Sequence, residues 1–247
     1  MITPEKKNVP TKEESMSVVD IVTEKVHAFM RSGQLDLPRN YSVENALKSA
    51  YLTLNTVKDK NDKLVIDNGK LTNVCTKASV ANALLDMVIQ GLNPSKKQVY
   101  FIVYGNQLMA QPSYFGKMAV TQMVNPEIKD WGYAVVYEGD TFKYKTINGK
   151  ITEVEHTQEL SNIDKDKIIA AYAIALDKDR MAIKSEVMTI QQIHQSWKQS
   201  RNNPFDDKGE LKASSVHAKF PGDMALRTVI NKVAKFIIKG VIPALFP

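Results

Sequence analysis

Amphipathic helices at both ends of the chain, with a run of hairpin signals between them, predict an α+β fold. Three observations carry this. Apolar residues recur at three- and four-residue steps before residue 90 and after residue 189. The segment between them is broken by Gly-Asn and Asn-Gly turns. No strand–helix–strand alternation appears that would call for a parallel sheet.

Residues 1–15 are polar, carry two prolines, and read as a flexible tail. A helix is expected from Ser17, with Val18, Ile21, Val22, Val26, Phe29 and Met30 on one side and Gly33 as its stop. A second helix follows Ser42 and carries Ala46, Leu47, Ala50, Tyr51, Leu54 and Val57. A third starts near Thr76 and ends before Gly91 and Pro94. Residues 98–104 and 107–111 flank Gly105-Asn106 as a hairpin, and a short helix is expected over 114–123. Residues 131–137 and 141–147 read as paired strands, and Asn148-Gly149 turns the chain into 150–156. Residues 168–176 and 181–187 form a further hairpin. Thr189 caps a helix through Trp197, 200–215 is a loop, and Pro221 opens a last helix that Gly240 ends. With no repeat and no linker, residues 16–247 are expected to form one domain.

Composition excludes several functions. The lone Cys75 offers neither an internal disulfide nor a cysteine zinc site, and His27, His156, His194 and His217 lie far apart. No run of 18 apolar residues and no signal-peptide stretch is present, so a reduced cytoplasmic setting is expected. A phosphate loop of the form GxxxxGK[ST], a GxGxxG and a GxSxG are all missing, so nucleotide-driven and serine-hydrolase chemistry find no support and no cofactor is expected. The acids Asp164, Asp166, Asp206 and Asp207 are the nearest thing to a metal-dependent nuclease site, but each sits among turn-forming residues.

The net charge is +6, and its distribution says more than its sum. Between Leu92 and Pro126 there is no acid, while Lys96, Lys97 and Lys117 are present. Residues 211–247 hold six bases against the single Asp223. Lys232, Lys235 and Lys239 share a helix face, where like charges repel unless an anion meets them. In the acid-free segment the aromatics Tyr100, Phe101, Tyr104, Tyr114 and Phe115 interleave with lysine, Asn and Gln. That mixture suits a single nucleic-acid strand, with cations on phosphates and flat faces on bases. Alternation along the strand sets Phe101 opposite Tyr100 and Ile102 and assigns it to the core.

This stretch resembles the RecT family of phage single-strand annealing recombinases. Gly91-Leu92-Asn93-Pro94, Tyr100, Tyr104-Gly105 and Tyr114-Phe115-Gly116 follow the family pattern in order and spacing. Thr76-Lys77-Ala78-Ser79, Trp197-Lys198 and the segment from Phe220-Pro221 to Arg227 are similar as well, so the likeness covers about residues 16–240. It implies a RecT-type annealing-protein fold: a small antiparallel, hairpin-based sheet backed by a long helix, with N-terminal helices. It also implies ATP-independent annealing of DNA strands in phage recombination, in the cytoplasm of a bacterial host. Subunits would assemble into a ring or helical filament and hold single-stranded DNA and the nascent duplex in a basic groove. A phage exonuclease and a host single-strand binding protein are the implied protein partners.

The residues expected at the DNA are Lys117, at the start of the helix after the hairpin, then Trp197, Lys198 and Arg201, then Arg227, Lys232 and Lys235. Tyr104, Asn106, Gln111 and Phe115 are candidates for sugar or base. Gln122 stands where many relatives carry Arg and offers a neutral hydrogen bond. A metal-dependent nuclease and an RNA-binding assembly module are the competing readings. The N-terminal helices could pack on a neighbouring subunit or within their own.

Overall fold

A computed structural model of the chain describes residues 17–200 and 203–241. The expected tail at 1–15 and Arg201 lie outside the described residues. The described residues fall into two compact units divided between Ala119 and Val120.

In the N-terminal unit, helix α1 (Val18–Arg31) opens on a capping box: the Ser17 hydroxyl accepts the Asp20 N–H, and the Asp20 carboxylate accepts the Ser17 N–H. Helix α2 (Val43–Leu54) is capped by Ser42 and helix α3 (Lys77–Ile89) by Thr76. Val22 and Val26 of α1, Leu47 and Leu54 of α2, and Leu84 and Met87 of α3 are buried together in this unit's core. Each such side chain contributes about 1.5–3 kcal/mol by leaving water. Part of each N-terminal apolar stripe is therefore covered inside its own unit, while Met30 at the end of the α1 stripe is exposed. A short hairpin not anticipated from the sequence joins β1 (Ile66–Asp67) to β2 (Lys70–Leu71), with Asn68 and Gly69 both at positive φ.

The Gly-Leu-Asn-Pro segment after α3 serves packing. Gly91 takes a φ of 62° and terminates the helix, and the Leu92 N–H returns to the Met87 carbonyl at 3.0 Å. Leu92 is fully buried, and the Tyr41 hydroxyl donates to its carbonyl at 2.9 Å. Asn93 caps a single 3-10 turn over Pro94–Lys96. Strands β3 (Val99–Tyr104) and β4 (Gln107–Pro112) follow and pair in register from Val99↔Pro112 to Tyr104↔Gln107. Helix α4 (Tyr114–Val124) begins at Ser113, whose hydroxyl accepts the Gly116 N–H and donates to the Lys97 carbonyl. Gly116 is required at that point, because a Cβ there would collide with the Gln98 carbonyl.

The C-terminal unit has three layers. Its middle is an antiparallel sheet of β5 (Asp130–Tyr137), β8 (Ile168–Leu176) and β9 (Ala182–Thr189), with β8 at the centre. Helix α5 (Ile190–Lys198) follows β9, and a single-turn helix α6 (Val216–Lys219) leads into the long helix α7 (Pro221–Val241). Helix α7 lies against one face of the sheet and buries Ala225, Val229, Ile230, Val233, Ala234 and Ile237. Ala171, Ala173 and Ala175 of the central strand are fully buried, a row of small side chains in the sheet that α7 packs on. The hairpin of β6 (Thr141–Ile147) and β7 (Lys150–Thr157) covers the other face, where Phe142 stacks on Tyr172 with centroids 5.5 Å apart. The small hairpin-based sheet backed by a long helix is thus present, and the fold is α+β.

Two further features differ from expectation. The sequence pairs β5 with 141–147, but in the structure β5 pairs with β8, while β6 pairs with β7. Strand β8 is apolar on both faces and is stable only in the middle of a covered sheet. Strand β6 alternates Lys143 and Lys145 with aromatics, so one of its faces must stay in water. Gly139, at φ 92°, turns the chain between the two layers, and the Asp140 carboxylate accepts the Tyr137 N–H there. The second difference is at Gly240, which does not end α7: it lies within the helix, which runs to Val241.

Candidate nucleic-acid interface

The acid-free segment folds into β3, β4 and α4. Alternation gives the hairpin two unlike faces. Val99, Phe101 and Leu108 are buried on one, as expected for Phe101, and the Leu108 N–H donates to Ser79 Oγ at 3.2 Å. The other face carries Tyr100, Ile102 and Tyr104 from β3 opposite Gln111, Met109 and Gln107 from β4. Tyr100 and Met109 are more than half exposed, at 55% and 53%. Of the expected contacts, Tyr104 and Gln111 sit on this outward face, and Asn106 is exposed in the turn. Gly105, at φ 62°, occupies the first turn position, where glycine meets no steric cost. Tyr100, Gln107 and Met109 share that face, because the two-residue turn fixes the register and with it the side on which each residue points.

On α4, Phe115 is exposed and rests against Tyr114 with centroids 4.1 Å apart. Lys117 is half-buried near the start of the helix, its N–H bonded to the Ser113 carbonyl at 2.9 Å. Gln122 is exposed on the same helix, about 140° further round at about 100° per residue.

The remaining candidates lie in the C-terminal unit. Helix α5 is held by a capping box between Thr189 and Gln192. Near its end stands Trp197, which is 3% exposed and donates its indole N–H to Thr228 Oγ1 on α7 at 2.8 Å. Trp197 is therefore a core residue rather than a surface for bases. Its ring contacts both His194 and His217, with centroids at 5.1 and 4.7 Å. Burial pushes both imidazoles down, and the neighbouring charges of Lys198 for His194 and Arg227 for His217 add to it. Lys198 is exposed and sits 5.1 Å from the Phe205 ring centroid.

Helix α7 shows Arg227 and Lys235 to solvent. Lys232 is tied to Glu186 of β9 at 2.7 Å, so its charge is already met. Lys184, two residues before Glu186, lies over the exposed Phe236 ring at 4.6 Å.

The nuclease candidates do not converge. The Asp164 carboxylate accepts the Asp166 N–H, and that of Asp206 accepts the N–H groups of Lys208 and Glu210, as turn residues do. Among the described residues, no group of three His, Cys, Asp or Glu side chains is placed to hold a metal ion. No described helix is long and apolar enough to cross a membrane.

An outward hairpin face without acids, and a long helix with exposed cations behind a small sheet, describe an α+β protein suited to a polyanionic strand. The family model for the RecT family matches residues 44–242, and the chain belongs to that family. Membership places it among the DNA-binding proteins of single-strand annealing in recombination. No curated protein matches the chain.

Proposed function

We propose that this chain anneals complementary DNA strands without ATP or any cofactor, as a homo-oligomer that presents a basic groove to the strand backbone. The chain then has no catalytic residue, because pairing is done by the bases themselves. The observation that carries this reading is the absence of any acid between Leu92 and Pro126 in a member of the RecT family. A segment that folds into an exposed hairpin face and a helix start admits phosphate only where no carboxylate repels it.

Lys117, Lys198, Arg227 and Lys235 are the proposed backbone contacts, with Arg201, three residues after Lys198 in sequence. Lys232 is left out of the direct contacts because Glu186 holds it. Tyr104, Asn106, Gln111, Phe115 and Gln122 are the proposed sugar and base contacts. Trp197 acts as a positioning residue, since its bond to Thr228 ties the helix of Lys198 to the helix of Arg227. The absence of a phosphate-cradling loop from the sequence supports a reaction without nucleotide fuel. A phage exonuclease that generates the single strand, and a host single-strand binding protein that first occupies it, complete the proposal within a bacterial cytoplasm.

The test adds two strands to the protein in succession. Binding to one strand is expected to be weak and salt-sensitive, and a complementary second strand is expected to give a tighter complex that electron micrographs show as a ring or filament. Equal complexes with complementary and non-complementary second strands, or annealing by isolated monomers, would overturn the reading.

A further inference from the structure

We propose that the outward face of the β3–β4 hairpin is a stacking platform for unpaired DNA bases, with Tyr100 and Met109 as its principal contacts. This rests on the annealing reading above and specifies how the strand's bases are held within it.

The hairpin's core contribution comes from the opposite side, through Val99, Phe101 and Leu108. A large aromatic and a methionine nonetheless stand more than half exposed on the outward side. They are diagonal neighbours across the ladder: Tyr100 pairs with Gln111, and Met109 pairs with Ile102, two residues along from Tyr100. Amides therefore border the apolar groups, and amides donate and accept without demanding a particular base.

Charge selects the occupant. An apolar surface of a second copy would gain nothing from a flank of lysines, whereas a negatively charged aromatic polymer would. Lys96 and Lys97 are exposed directly before β3, and no acid stands from Leu92 to Pro126. The backbone that carries Lys97 is pinned, because Ser113 Oγ donates to its carbonyl at 2.7 Å. Cations at a strand's entrance with flat and soft groups along its face are the arrangement that single strands require.

Spacing also fits. Outward side chains on a strand repeat about every 6.8 Å, twice the per-residue rise of about 3.4 Å. The rise per base along one strand of a duplex is about 3.4 Å. One side chain can therefore occupy the slot between two bases of a strand drawn to twice its duplex rise. Stacking engages the faces of the bases and leaves their pairing edges open to a second strand.

The experiment compares the full chain's binding to oligothymidylate with its binding to an abasic oligonucleotide of equal length at fixed salt. The unaltered chain is expected to prefer oligothymidylate by roughly tenfold or more, the worth of stacking on a few bases. Tyr100→Ala and Met109→Ala are each expected to lower oligothymidylate affinity about fivefold to tenfold and leave abasic affinity unchanged. Tyr100→Phe is expected to restore it. Equal binding of the two oligonucleotides by the unaltered chain overturns the platform alone. Variants that bind both ligands normally but sediment as smaller assemblies overturn it in favour of a contact between copies. A chain that binds neither oligonucleotide overturns the annealing reading, and the platform with it.

Discussion

Lys232 Nζ lies 2.7 Å from Glu186 Oε1, bridging helix α7 to strand β9. Of the basic residues on that helix, this one is already neutralised by the fold. Lys235 and Arg227 are exposed, so the cations of α7 divide into anchored and available charges. Binding assays over a range of salt distinguish them. Lys235→Ala and Arg227→Ala are each expected to reduce the slope of log affinity against log salt by about 0.7 for single strands. Lys232→Ala is expected to leave the slope unchanged and to lower stability by up to about 1 kcal/mol, the range of a partly exposed pair. Glu186→Gln, which releases Lys232, is expected to steepen the slope by about 0.7.

Gly116 has no room for a side chain against the Gln98 carbonyl. Gly116→Ala must push the start of α4 away from β3 and break the seat that Ser113 forms for both. A loss of about 3 kcal/mol in urea unfolding is expected, at the upper end of overpacking costs. Gly149→Ala, by contrast, meets no nearby atom, and its cost is limited to the strain of a φ of 74°.

The pH dependence follows from His194 and His217. Both bind protons less readily in the folded chain than an ordinary imidazole at 6.5, first because of burial and then because of Lys198 and Arg227. The unfolded chain therefore binds more protons as the pH drops below 6.5. Stability is complete above that value and is lost progressively on acidification. The melting temperature is expected to be lower at about pH 5.5 than at about pH 7.5, and His194→Gln with His217→Gln should flatten that difference.

Asp140 governs a more acidic window. Its side chain is fully buried, and burial pushes the carboxyl up. Hydrogen bonds from Gln158, the Tyr137 N–H, Asn162 and His156 outweigh that and hold it well below the usual range. Its stabilisation is present above 3.8, the ordinary value, and disappears as the pH falls toward its folded value. Asp140→Asn places an amide against several donors and is expected to cost about 3 kcal/mol at neutral pH. Urea unfolding of the variant at neutral pH checks this.

What the amino-acid order determined by itself is the local structure and the charge map. Caps at Ser17, Ser42, Thr76 and Thr189, the turns at Gly105-Asn106 and Asn148-Gly149, and the Pro221 helix start depend on neighbours within a few residues, so short-range rules reach them. The acid-free segment is likewise a property of the bare sequence. Tertiary structure alone decided which strand lies beside which and which charges are spoken for. Strand β8 follows β5 only after the whole β6–β7 hairpin and still becomes its partner, because only it can be buried on both faces. In the sequence Trp197 fits a base contact beside its cationic neighbours as well as a core position, and only Thr228, which takes its indole N–H, fixes it in the core. Glu186 and Lys232 meet only once α7 has packed on the sheet. Long-range contacts of this kind carry no local signature, since they arise from the burial of whole faces rather than from any short run of residues.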